Sequence, residues 1–170
     1  REDLDDRSRF ILASYLLAKG DTEVQAGRAE AGRALYSRAT SLGPEVAEIQ
    51  GELGSRLADI GDRDGAIDAL RRSLSLREED GVVHNRLGRL LVEAGRVGEA
   101  EAEFRRALEL LPDLAIAHSN LGGILGMKGD IAGALKEIES AVRLDPGSTH
   151  ARNNLGRAAL LSGDPARARR

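Results

Sequence analysis

The chain has no cysteine and no tryptophan, and only two phenylalanines and two tyrosines in 170 residues. Without thiols there is no disulfide framework, no zinc–thiolate centre and no cysteine nucleophile. Aromatic residues make up 2% of the chain, so a globule of this length has few large rings to fill its centre. A thin layered structure packed with Leu and Ala suits such a composition, which points towards a solenoid. Charge of one sign is missing too: 25 Lys+Arg stand against 28 Asp+Glu, a net charge of -3. Nucleic acid, whose phosphates demand a basic footprint, is therefore not an expected partner. No run approaches the roughly 18 apolar residues of a membrane span. The charge-dense start, Arg1 to Arg9, is unlike a signal peptide. The first residue is Arg rather than Met, so the native N-terminus, with any targeting segment, is expected to precede it. What is present is 41% hydrophobic residues, enough for a folded core. The length suits a single domain, 1–170.

A period organises these residues. Leu53-Gly54 recurs as Leu87-Gly88, Leu121-Gly122 and Leu155-Gly156, on a constant 34-residue step. Gly61, Gly95, Gly129 and Gly163 keep the step, as do Ala66, Ala100, Ala134 and Ala168. So do Leu76, Leu110 and Leu144, and Pro112 with Pro146. So many columns on one period mark a structural repeat. Inside a unit the apolar spacing is helical. Leu87, Leu90, Leu91 and Ala94 fall at i, i+3, i+4 and i+7, and after Gly95 the pattern resumes with Val97, Ala100, Phe104, Ala107, Leu108 and Leu111. Each unit is thus two amphipathic helices, the first closed by Gly at a left-handed C-cap. The second opens on an N-cap candidate, Asp62, Asp130 or Asp164. Arg96 breaks that column, so the third unit is expected to have the weakest cap. Gly54, Gly88, Gly122 and Gly156 sit mid-helix, where Gly costs about 1 kcal/mol against Ala. A missing side chain there lets the second helix approach, with Ala66, Ala100 and Ala134 facing it.

The run Leu87-Gly88, Leu91, Gly95, Ala100, Phe104, Ala107 and Pro112, repeated as Leu121-Gly122, Leu125, Gly129, Ala134, Ile138, Ala141 and Pro146, resembles the tetratricopeptide repeat. The unit 47–80 keeps most columns, with Ser73 for Ala and Glu78 for Pro. The units are expected at 47–80, 81–114 and 115–148, with a partial unit 149–170 and an irregular first unit at about 6–46. In that first unit Leu12, Ala13, Leu16 and Gly20 read as the start of a repeat, and Tyr36, Ala39 and Pro44 as its end. Gly20 and Tyr36 stand sixteen apart, whereas Gly95 and Phe104 stand nine apart. The excess predicts a second helix lengthened at its start, from about Thr22 to Leu42, capped by Asp21. The resemblance implies an all-α fold, a right-handed α-solenoid of antiparallel helix pairs.

It also implies a function: a non-catalytic scaffold that binds a peptide or protein segment in a groove lined by first helices, with no cofactor and no metal. The implied groove places are the second, fifth, sixth, ninth, twelfth and thirteenth of each unit. They hold Glu48, Glu52, Ser55 and Asp59, then Asn85, Arg86, Arg89 and Glu93. Next come Ser119, Asn120 and the apolar Met127, then His150, Asn153, Asn154 and Arg157. Asn120 and Asn154 share the sixth place, where an amide that both donates and accepts suits a peptide bond. Charge runs from acidic at Glu48, Glu52 and Asp59 to basic at Arg86, Arg89, His150 and Arg157, which fits a ligand with an acidic stretch or a C-terminal carboxylate. The alternative is that these Arg residues are solvated or pair with Glu inside the fold. The chaperone-binding clamp of the family is incomplete: Asn120 matches, but Arg89 stands at an Asn place and His150 and Asn154 at basic ones. The family's Trp column holds Gln50, His84, His118 and Arg152. The two His are one period apart, and no His-x3-His or carboxylate set accompanies them as metal ligands would require. They are expected to fill the outer edge of the helix pair. No phosphate loop, nucleophile elbow or zinc-protease motif is present. Two other functional classes remain open. One is the substrate-presenting repeat region of a larger enzyme, as in protein glycosyltransferases. The other is self-association through a C-terminal end that stops shortly after Pro165.

Overall fold

The computed structural model describes residues 4–163. Among them are nine helices and no strand. They are α1 (Asp6–Gln25), α2 (Ala29–Leu42), α3 (Ala47–Asp59), α4 (Arg63–Leu76), α5 (Gly81–Glu93), α6 (Val97–Leu110), α7 (Ala115–Met127), α8 (Ile131–Leu144) and α9 (Thr149–Leu161). The chain divides into two compact units, Arg1–Leu90 and Leu91–Arg170. In the first, α1 packs on α2 and α3 on α4; in the second, α7 packs on α8, and α9 lies against both.

The helix limits follow the small and capping residues. Gly27, Gly61, Gly95, Gly129 and Gly163 all take positive φ, from 73° to 86°. This left-handed turn ends a first helix at no Cβ cost. Asp62 and Asp130 cap α4 and α8, accepting from the backbone N–H of Gly65 (3.1 Å) and Gly133 (2.9 Å). Arg96 supplies no side-chain cap to α6, as the broken column predicts. Asp164, Pro165 and Ala168 lie outside the described residues.

The first unit corrects the sequence reading. The second helix does not run from Thr22; α1 continues through Asp21 and Thr22 to Gln25, and α2 starts at Ala29. The turn glycine is Gly27, not Gly20, and Gly27 to Tyr36 is the ordinary interval of nine. Gly20 belongs to the helix-crossing column instead, one period before Gly54. The seven extra residues therefore lengthen the start of α1, and the cap there is Asp5, which accepts from Ser8 N–H at 2.6 Å. Asp21 caps nothing. It accepts from Tyr36 Oη (2.8 Å) and Arg56 Nε (3.0 Å), tying α1 to α2 and α3.

Close approach explains the mid-helix glycines. A Cβ on Gly54 would lie 2.6 Å from Leu70 Cγ and 3.1 Å from the Ala66 carbonyl oxygen. One on Gly122 would lie 2.5 Å from Ile138 Cγ1 and 3.0 Å from the Ala134 carbonyl oxygen. At Gly20 it would meet the Tyr36 ring, 2.7 Å from Cδ1. These crossings frame the cores: Ala13, Leu16, Leu17, Tyr36, Ala39, Ile49, Leu53 and Ala69 cluster in the first unit. Phe104, Leu121, Ile124 and Ile138 are buried in the second. Ser73, which departs from the Ala column, is buried but satisfied, donating to the Ala47 carbonyl at 2.8 Å.

The Trp column is put to a different use. Gln50 Nε2 donates to the Pro44 carbonyl (3.4 Å), and His84 and His118 donate through Nε2 to the Glu78 and Pro112 carbonyls (both 2.9 Å). Arg152 Nε donates to the Pro146 carbonyl at 3.0 Å. Each side chain reaches back six positions to the turn before its helix. A carbonyl only accepts, so both imidazoles carry hydrogen on Nε2.

Tyr36 gives the first unit a pH signature. Burial foremost, and then the hydrogen bond to Asp21, push its phenol up to about 12. The folded state thus holds a proton that the unfolded chain releases near pH 10. The resulting stability is fully present below that pH and is lost as pH rises towards the folded value. Between pH 10 and 12 the urea midpoint of the wild type is expected to fall more steeply than that of Tyr36→Phe; parallel curves would contradict this.

Candidate functional site

On the first unit, α3 and α5 bound a depression of about 200 Å³. Gly54, Ala58 and Leu90 form its apolar part, Ser55 and Asp59 its polar part, and Arg86 and Arg89 line it from α5. The 3.6-residue turn places Arg86 and Arg89 three apart on one face. Arg86 is exposed and makes no ion pair or hydrogen bond with a described residue. The acidic residues expected nearby are already engaged: Glu48 with Arg77 (2.6 Å) and Glu52 with Arg56 (3.1 Å). Internal Arg–Glu pairing thus occupies Glu48 and Glu52, leaving Asp59 as the acidic group of the depression. Asn85, expected on this face, is only 7% exposed and belongs to the interior.

On the second unit, α7 and α9 carry the other expected residues. Ser119 is buried and works as a bridge rather than a contact surface. Asn154 Nδ2 donates to its carbonyl (3.3 Å) and its hydroxyl (3.1 Å), and the same hydroxyl lies 3.2 Å from His150 Nδ1. The carbonyl partner fixes the amide orientation, because only nitrogen can donate to it. Asn154 is thereby held rigid with its oxygen turned away from that bond. Asn120 is half-buried; Asn153, His150 and Arg157 are placed towards the surface of α9. Met127, seven positions after Asn120 and hence on the same helical face, is 65% exposed. Beside it Lys128 donates to Glu101 at 2.6 Å. Hydrogen bonds from Lys128 and then Arg105 hold the Glu101 carboxyl below the usual carboxylate range.

The expected groove residues therefore separate. Arg86 and Arg89 share the depression on the first unit; Ser119, His150 and Asn154 form one hydrogen-bonded cluster on the second; Asn85 is withdrawn. The bridging role of Ser119 is not legible in the sequence, since the pairing of Asn154 with the preceding first helix depends on how α7 and α9 lie together. Among the described residues no three His, Asp or Glu side chains are grouped to hold a metal ion, and no helix is long and apolar enough to cross a membrane.

Paired helices on a 34-residue period, with turn glycines and crossing glycines in register, define an all-α helical-repeat protein. The chain belongs to the tetratricopeptide repeat family, whose model matches residues 17–81, 85–149 and 127–170. Solved structures share this fold. One is MamA from Desulfovibrio magneticus RS-1, at 20% identity and TM-score 0.79 over 92% of this chain and 89% of that one. Another is YrrB, described as a TPR protein with an unusual peptide-binding site, at 22% identity and TM-score 0.71 over 90% of this chain and 79% of that one. A third is the first TPR domain of Spaghetti (RPAP3) bound to the HSP90 peptide SRMEEVD, at 20% identity and TM-score 0.66 over 69% of this chain and 94% of that one. A comparison with curated proteins finds no significant match.

Proposed function

We propose that the protein is a non-catalytic interaction module that binds an extended polypeptide segment bearing carboxylates, with Arg86 and Arg89 as the groups that select it. The observation that carries this reading is the depression between α3 and α5, which Arg86, without an ion-pair or hydrogen-bond partner among the described residues, lines together with Gly54, Ala58, Leu70 and Leu90. Guanidinium forks bind carboxylates in two parallel hydrogen bonds, and a small apolar recess receives the adjoining side chain. The second unit, taken by itself, carries groups of the same class. Asn120 and Asn154 present amides suited to a peptide backbone, Arg157 adds a cation, and Met127 is an adaptable apolar contact. The two likenesses whose descriptions mention peptides support the same class of ligand.

The test is a fluorescence-anisotropy titration with an acidic peptide carrying a free C-terminal carboxylate, beside its amidated, Gln-substituted counterpart. Binding of the acidic peptide is expected to weaken about tenfold, or about 1.4 kcal/mol, in Arg86→Ala/Arg89→Ala and to weaken with salt. Equal binding of both peptides, or unchanged affinity in the double variant, would refute the assignment.

A further inference from the structure

We propose that the depression between α3 and α5 takes a mixed-charge segment of a partner protein. In an extended strand of that partner, a basic and an acidic side chain stand four residues apart with an apolar side chain midway between them. This rests on the carboxylate reading of Arg86 and adds a cation that the same ligand brings.

The cation is called for by Asp59, which lines the depression together with Arg86. Like Arg86, Asp59 is exposed and makes no ion pair or hydrogen bond with a described residue. It is the last residue of α3, where the partial negative charge of the helix end disfavours an anion. The other acidic residues of α3 are taken up within the fold, Glu48 by Arg77 and Glu52 by Arg56. One open anion and one open cation thus share a single recess. A segment bearing carboxylates alone satisfies Arg86 and is repelled by Asp59. A segment bearing both signs satisfies the two together.

The repeat sets their spacing. Arg86 stands one period after Glu52 and Leu90 one period after Arg56, while Asp59 lies seven residues beyond Glu52. At about 1.5 Å per residue, Arg86 and Asp59 are offset by about 10 Å along the helices, too far to pair with each other. Gly54, Leu90 and Ala58 fall at levels between them, and Leu70 of α4 lies against Gly54. Cation, apolar recess and anion therefore follow one another in order. In an extended strand, residues i, i+2 and i+4 share a face and span about 13 Å. Flexible stems of Lys and Glu take up the difference. The recess, about 200 Å³, has room for one branched aliphatic side chain.

The test is a calorimetric titration with end-blocked peptides, so that no terminal charge contributes. The mixed peptide carries Lys-Ser-Leu-Ser-Glu. It is made in both orders, because the recess fixes the spacing of the charges and not the chain direction. One control is all-acidic, Glu-Ser-Leu-Ser-Glu; another moves Leu to the opposite face, Lys-Leu-Ser-Ser-Glu. The better order of the mixed peptide is expected to bind the wild type about tenfold more tightly than either control. Asp59→Asn, with unchanged helical circular dichroism, is expected to lose that preference, the all-acidic peptide gaining affinity. Asp59→Lys is expected to reverse it. Equal wild-type affinity for the mixed and all-acidic peptides overturns the proposal, and so does a preference that survives Asp59→Asn. Equal binding of the Leu-shifted control overturns the spacing. Arg86→Ala separates this from the broader reading. If that variant weakens the all-acidic peptide while the mixed one binds the wild type no better, the carboxylate reading stands and the mixed-charge proposal alone fails. If it weakens neither, both fail.

Discussion

Phe104→Ala is expected to cost about 3–5 kcal/mol of stability, which lowers the melting temperature by about 10 °C or more in a chain of this size. Phe104 is 1% exposed and is the largest fully buried side chain. It occupies the register position of Tyr36, Leu70 and Ile138, where the second helix of a unit meets the first. Only two aromatic rings are buried, Phe104 and Tyr36, because Phe10 and Tyr15 are exposed on α1. A core built from Leu and Ala has no second ring to collapse into the space, so the cavity term adds to the lost transfer energy. Urea denaturation followed by circular dichroism measures the loss. A change below about 1 kcal/mol, the level of an ordinary surface substitution, would mean that the ring is not a keystone of the second unit.

Two glycine substitutions are expected to act with opposite sign. Gly122→Leu adds a side chain whose first carbon already sits 2.5 Å from Ile138 Cγ1 and 3.0 Å from the Ala134 carbonyl oxygen. The carbonyl belongs to the backbone of α8 and cannot rotate aside, so α7 and α8 must separate. Overpacking of this kind costs about 3 kcal/mol, well above the helix-propensity gain of about 1 kcal/mol from replacing Gly. At Gly98, exposed in the first turn of α6, a Cβ meets nothing within 4 Å. Gly98→Ala is therefore expected to stabilise the protein by about 0.5–1 kcal/mol. If both variants lose stability alike, helix crossing is not what keeps the glycine at 122.

That contrast also shows how far the sequence can be read. The 34-residue period carries the helix pairs, their caps at Asp62 and Asp130 and the crossing glycines, because each is a local backbone requirement repeated in register. The first unit is misplaced because Gly20 and Gly27 compete for one column. The signal that resolves them is present: Gly27 to Gly61 is one period, and so is Gly20 to Gly54. Once a wrong glycine closes the helix, the extra residues are assigned to α2 rather than to the start of α1. At the candidate site, position in the repeat is enough to find Arg86 and Arg89. The withdrawal of Asn85 and the bridging of Asn154 by Ser119 depend on side-chain partners across helices, which periodicity does not encode.

The most direct test of the binding reading is an NMR titration of the ¹⁵N-labelled protein with the acidic peptide. Shift changes are predicted to concentrate at residues 55–59 and 86–90, and to vanish there in Arg86→Ala/Arg89→Ala. Changes confined to the outer surfaces of α4 or α8, with residues 55–59 and 86–90 unmoved, would contradict it.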